Sequence, residues 1–203
     1  RRTPHARVVR LWTGGALCAG LGLLLISGRN VLPLVLGFGL AGALVAAAML
    51  VQTAALRLLL GRPRVWRPLV GPVVVAAGLL LALLVAGNRQ HLFVAAILVL
   101  ALLTGSLAWH ARLTALHERS RSAALIAWSQ TALLLVMVAR SLTVAVGLEP
   151  FQPGRGGVVF VLLHATAVLS ALYGSLGFMG LMLDITRRAE LRARDGQVAE
   201  AAR

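Results

Sequence analysis

The chain has 203 residues, of which 59% are apolar and only 13% charged, with a mean hydropathy of +0.88. A soluble domain carries about a quarter charged residues, so this composition argues against a water-facing enzyme. The net charge is +14, but every cation is an arginine and all except Arg140 flank the apolar runs, which favours anionic lipid headgroups over nucleic acid as partner.

Most arginines fall into four clusters, at 1–10, 57–67, 110–121 and 187–203. A helix that crosses a bilayer needs about 20 apolar residues, and the stretches between clusters supply six candidates. In chain order these are Leu11–Gly28, Leu32–Leu60, Leu69–Gly87, Leu92–Trp109, Ala123–Gly147 and Val158–Leu183. The second is too long for one straight crossing and is expected to tilt or to run past the interface. Arg29 to Pro33, Gly61 to Arg64, Gly87 to His91 and the segment 147–157 supply glycine, proline or polar residues where helices stop. The predicted fold is an all-α polytopic transmembrane bundle. Residues 1–10 form a basic segment, 11–183 the bundle, and 184–203 an exit helix.

Arginine is retained on the cytoplasmic side of membranes, so both ends of the sequence are expected inside a bacterial inner membrane. Trp12, Trp66 and Trp109 then fall near that interface, where amphipathic rings concentrate. The chain opens Arg-Arg-Thr-Pro without a methionine and is expected to be a piece of a longer protein, in which a preceding helix would make seven. The first apolar run is followed at once by others, so it reads as a span and not a cleaved signal.

Ionisable groups inside spans are functional candidates. Arg140 in the fifth span and His164 in the sixth each fall roughly 10 Å below the outer surface at 1.5 Å per residue. Glu149, in the outer turn, approaches from above. Together they define a candidate ligand-binding or proton-sensing pocket, set against a plainer reading in which Arg140 snorkels and His164 bonds a neighbouring helix. Gln130 and Ser129 in the fifth span, with Ser170 and Ser175 in the sixth, make this pair the polar half of the bundle. Gly174, Gly177 and Gly180, and likewise Gly39 and Gly42, are expected to allow close helix approach.

Catalytic patterns fail on inspection. Thr104-Gly105-Ser106-Leu107 superficially resembles the Gly-x-Ser-Gly of rhomboid proteases, but the glycines are misplaced and Ser106 lies far deeper than His164. A nucleophile and its base must come within about 3 Å. The five histidines have no acidic or cysteine partner at ligand spacing, so no metal is expected. His110 and His117 fall in the third arginine cluster and are expected to be solvated in a loop. The single cysteine, Cys18, can form no internal disulfide and is expected to pack as a small hydrophobe.

After Leu183 the chain continues Asp184-Ile185-Thr186-Arg187-Arg188-Ala189-Glu190, which is rich in helix formers and continuous with the last span. Leu11-Trp12-x-x-Gly15, the Arg29 to Pro33 turn, and Gly177-Phe178-Met179-Gly180 running into Asp184 and Arg187-Arg188-Ala189-Glu190 together resemble the membrane input region of proteobacterial sensor histidine kinases. Similar regions precede diguanylate cyclase domains. The resemblance implies a homodimeric sensor that relays a membrane or periplasmic cue through Asp184, Arg187, Arg188 and Glu190 to a cytoplasmic output, and onward to a response regulator. ATP and Mg²⁺ would belong to a kinase domain beyond Arg203, and no cofactor is expected in this chain. The alternatives are an input domain of a diguanylate cyclase and a small permease or channel.

Overall fold

The computed structural model describes residues 4–28, 31–33, 35–62, 89–148 and 158–201, which are helical with short turns. Five helices are long and apolar enough to cross a bilayer. They are α1 (Pro4–Ser27), α2 (Ala41–Leu59), α3 (Arg89–His117), α4 (Arg121–Ala145) and α5 (Val158–Ala201). The expected span 69–87 lies outside the described residues, as do Arg29, Arg64, Trp66, Arg67, Glu149 and Arg155. Six spans are therefore not matched among the described residues; five are.

Boundaries shift from the sequence expectation in four places. Helix α1 starts at Pro4, whose fixed φ and missing N–H suit a first helical turn, so Arg7 and Arg10 belong to α1. The run 32–60 is not one helix. A π-helical turn, Val35–Leu40, precedes α2, and the Pro33 carbonyl accepts from the Leu36 and Gly37 amides at 2.9 and 3.0 Å. Helix α3 continues past Trp109 to His117, which leaves only residues 118–120 as the turn into α4. Helix α5 runs unbroken for 44 residues, so the last span and the exit segment are one element.

In lipid, apolar burial does not drive helices together, and close backbone approach must. Gly22 and Gly177 provide it. A Cβ on Gly22 would stand 2.7 Å from Val45 Cγ2, and one on Gly177 would stand 2.7 Å from both Ile126 Cγ1 and the Ser122 carbonyl. Helices α1 and α2 thus pack as one antiparallel pair, and α4 and α5 as another. At Gly39 and Gly42 an added Cβ meets nothing within 4 Å among the described residues, so the close approach comes from the α1 glycines instead. Leu17, Leu24, Leu102, Trp128 and Leu135 point outward, as lipid-facing positions do.

Helices α2 and α3 run parallel. Thr104 Oγ1 donates to Met49 Sδ at 3.1 Å, and Arg57 lies against His110 further along both helices. One buried cluster then joins Val8 and Trp12 of α1, Leu56 of α2, Ala111 of α3, Ile126 of α4 and Leu181 of α5. Arg7, Arg10, Arg57, Arg112, Arg121 and Arg187 therefore all adjoin one end of the bundle. A second cluster, with Met49, Ile97, Ala101, Leu133 and Met137, fills the body between α2, α3 and α4.

Candidate functional site

At the arginine end, α5 is fastened to the α3–α4 turn. Ser120 is the N-cap of α4, and its Oγ accepts from the Ala123 amide at 3.4 Å. The same hydroxyl donates to Asp184 Oδ2 at 2.6 Å, and Ser122 Oγ donates to that oxygen at 3.4 Å. One turn further along α5, Arg188 Nη1 donates to the Glu118 carbonyl and Nη2 to the Arg119 carbonyl at 3.4 Å. Glu118 Oε2 lies 3.7 Å from Arg188 Nη1. Residues at i and i+4 share a helix face, so one face of α5 presents an acid to the N-terminus of α4 and a cation to the last carbonyls after α3. Both placements complement the helix dipoles. The turn that receives them is tight enough to hold Arg119 at φ +44°, a left-handed conformation uncommon outside glycine. Arg187 and Glu190 face away, exposed.

Beside this clasp, Arg57 Nη1 lies 3.1 Å from His110 Nε2, while His110 Nδ1 lies 2.8 Å from the Ser106 carbonyl. A carbonyl only accepts, so Nδ1 carries the proton and Nε2 receives the guanidinium N–H. The expectation that His110 is solvated in a loop is thereby corrected: it is buried within α3 and ties α3 to α2. His117, at the end of α3, is exposed and 3.8 Å from Glu118 Oε1.

At the opposite end, Arg140 is 2% exposed. Its guanidinium carbon stands 5.7 Å from the Phe160 ring centroid, within cation–π range. The Phe160 ring in turn lies 4.2 Å from the His164 ring, and His164 Nδ1 is 2.9 Å from the Phe160 carbonyl. Arg140 and His164 thus flank one aromatic ring that bridges α4 and α5. Glu149 lies outside the described residues, so its approach to them does too.

Between these ends is a cavity of about 130 Å³ bounded by α1, α2, α4 and α5. Its polar lining is Trp12, Gln52, Gln130, Ser170 and Ser175. Trp12, expected near the interface, is 3% exposed and stacks on Phe178 at 4.4 Å, so its ring packs inside the bundle and not against lipid. Trp109 is exposed, as an interfacial residue would be. Trp12 Nε1, Gln130 Oε1 and Ser170 Oγ are all buried and have no hydrogen-bond partner among the described residues. The sequence pattern marks Gln130, Ser170 and Ser175 as polar positions of spans five and six and Trp12 as an interfacial ring, and it gives no signal that Trp12 and Gln52 share a cavity with them. Sequence reading also missed Glu118, Ser120 and Ser122 as the seat of α5, although serine before an apolar run is the usual N-cap signal. Among the described residues, no three His, Cys, Asp or Glu side chains gather as metal ligands would.

No family model matches the chain, and neither a curated protein nor a solved structure matches it.

Proposed function

We propose that the chain is the membrane-embedded sensor or anchor module of a bacterial signalling protein, whose helix α5 relays a membrane or periplasmic cue to a cytoplasmic histidine kinase output beyond Arg203. The observation that carries this reading is α5 itself. It is continuous for 44 residues, about 66 Å at 1.5 Å per residue, against roughly 30 Å of hydrocarbon. It is gripped by the α3–α4 turn at Asp184 and Arg188, then exposed at every position from Ala189 to Asp195. A helix gripped where it leaves the bundle and free beyond is arranged to transmit rotation or sliding.

The topology in this proposal puts the arginine end in the cytoplasm of the inner membrane. The chain leaves α2 at that end and enters α3 at the other, which supports a sixth crossing by 69–87. A short helix is marginal in water by itself, so pairing of exit helices in a homodimer is part of the reading. A cue acting near Arg140 and His164, or between the helices, would bias α5 between two registers on α4. Asp184 and Arg188 hold one of them.

The test joins residues 1–203 to a histidine kinase catalytic core and follows autophosphorylation in lipid vesicles. Asp184→Ala and Arg188→Ala are expected to change the output about threefold or more, the effect of about 0.7 kcal/mol on a two-state balance. Arg187→Ala should leave it unchanged. Output indifferent to both clasp variants would end the relay reading.

A further inference from the structure

We infer that the cavity between α1, α2, α4 and α5 is a binding site for a small uncharged molecule bearing a hydroxyl, of phenol or short-chain alcohol size. Three properties of the cavity select that class. Its volume, about 130 Å³, is close to the roughly 150 Å³ of an engineered cavity that takes up benzene. Among the described residues its lining holds no charged side chain, so an ionised ligand would lose its hydration with nothing in return. And its unpartnered atoms include a donor, Trp12 Nε1, an acceptor, Gln130 Oε1, and a hydroxyl, Ser170 Oγ, which is both.

A hydrocarbon would leave all three atoms unpaired, whereas a hydroxyl both donates and accepts. Buried polar groups without partners are uncommon and costly, and in lipid no solvent stands by to relieve them. These three sit on three different helices, α1, α4 and α5, around one cavity, so an occupant that pairs with them also bridges those helices.

Access is from the lipid side. Gly20 of α1 and Ala171 of α5 both line the cavity and are exposed, and a Cβ on Gly20 would meet nothing within 4 Å among the described residues. The Trp12–Phe178 stack closes the arginine end. A molecule that partitions into the bilayer therefore reaches the cavity sideways. The binding holds whether or not α5 carries a signal, so its test is separate from that of the relay.

The full chain is placed in lipid nanodiscs with Trp66, Trp109 and Trp128 changed to Phe, which makes Trp12 the one emitting tryptophan. Phenol is titrated as the probe and toluene as its apolar counterpart. Phenol should change Trp12 emission saturably, with toluene at least about fivefold weaker, in keeping with one or two hydrogen bonds. Gln130→Leu should weaken phenol about 2- to 10-fold and leave toluene unchanged. Gly20→Leu combined with Ala171→Leu should abolish saturation while the melting temperature stays at or above that of the parent, which shows that the bundle still folds. Three results would overturn the inference: a phenol response that only rises linearly, as for partitioning into lipid around a cavity holding water; equal affinity for phenol and toluene; or saturation that survives both leucines.

Discussion

At the arginine end, Asp184 receives two serine hydroxyls and Arg188 reaches two backbone carbonyls. Around the cavity of the same bundle Trp12 Nε1, Gln130 Oε1 and Ser170 Oγ have no partner among the described residues. The contrast separates polar groups that hold the fold from polar groups that weaken it. Pairing a charged group with good donors contributes about 1.5–3 kcal/mol, whereas a buried group left unpaired costs about 1–3 kcal/mol. Residues of the first kind are explained by the structure they stabilise. Those of the second kind need another explanation, and a ligand is the one that the cavity around them suggests.

Substitutions can break or sharpen this contrast. The largest effect is expected where neither class is involved and backbones touch. Gly177→Leu drives a side chain into Ile126 and the Ser122 carbonyl, each 2.7 Å from its Cβ. It should cost about 3 kcal/mol or more and separate α5 from α4, seen as a lowered melting temperature in detergent. Next, Arg57→Met leaves His110 Nε2 without its donor but also removes the Arg57 Nε, which is buried without a partner among the described residues, so the net cost should be about 1–2 kcal/mol, read from denaturant titration of helicity. Asp184→Ala removes both serine contacts at a half-exposed site, where solvent screens part of the gain. About 1–2 kcal/mol is expected.

Gln130→Leu is the decisive comparison with Asp184→Ala. It replaces a buried amide whose carbonyl oxygen is unpaired by an apolar group of similar size, so stability should stay level or rise by up to about 1 kcal/mol. A loss as large as that of Asp184→Ala would show that Gln130 belongs with the structural groups after all. Smallest of all, Glu190→Ala on the exposed exit helix should stay within about 0.5 kcal/mol.

Apolar runs between arginine clusters made the helices legible, since lipid-facing segments need length and little else. Their ends were less so. Arginine, alanine and leucine all favour helix, so α1 and α3 run on through basic stretches that read as loops. Periodicity gives the face a residue occupies but not the neighbour it meets. Gln130 falls on the polar half, yet nothing in the sequence puts it beside Trp12, because the one polar neighbour of Trp12 in α1, Thr13, is exposed on another face. His110 was misread for the same reason: its partner Arg57 lies on α2, and the parallel run of α2 and α3 is not written in either helix alone. Asp184 and Arg188 are marked, with Arg187 and Glu190, only by the resemblance of the exit segment to sensor input regions, while their seat on 118–122 depends on how the α3–α4 turn folds.

The unbroken course of α5 has a mechanical corollary. From the grip at Asp184 to Ala201 the helix extends about 26 Å at 1.5 Å per residue. A tilt of about 10° around that fulcrum would carry its tip some 4–5 Å sideways, close to one helical pitch of about 5.4 Å. A tilt too small to disturb packing at Asp184 would thus arrive at the far tip as a displacement of several ångströms.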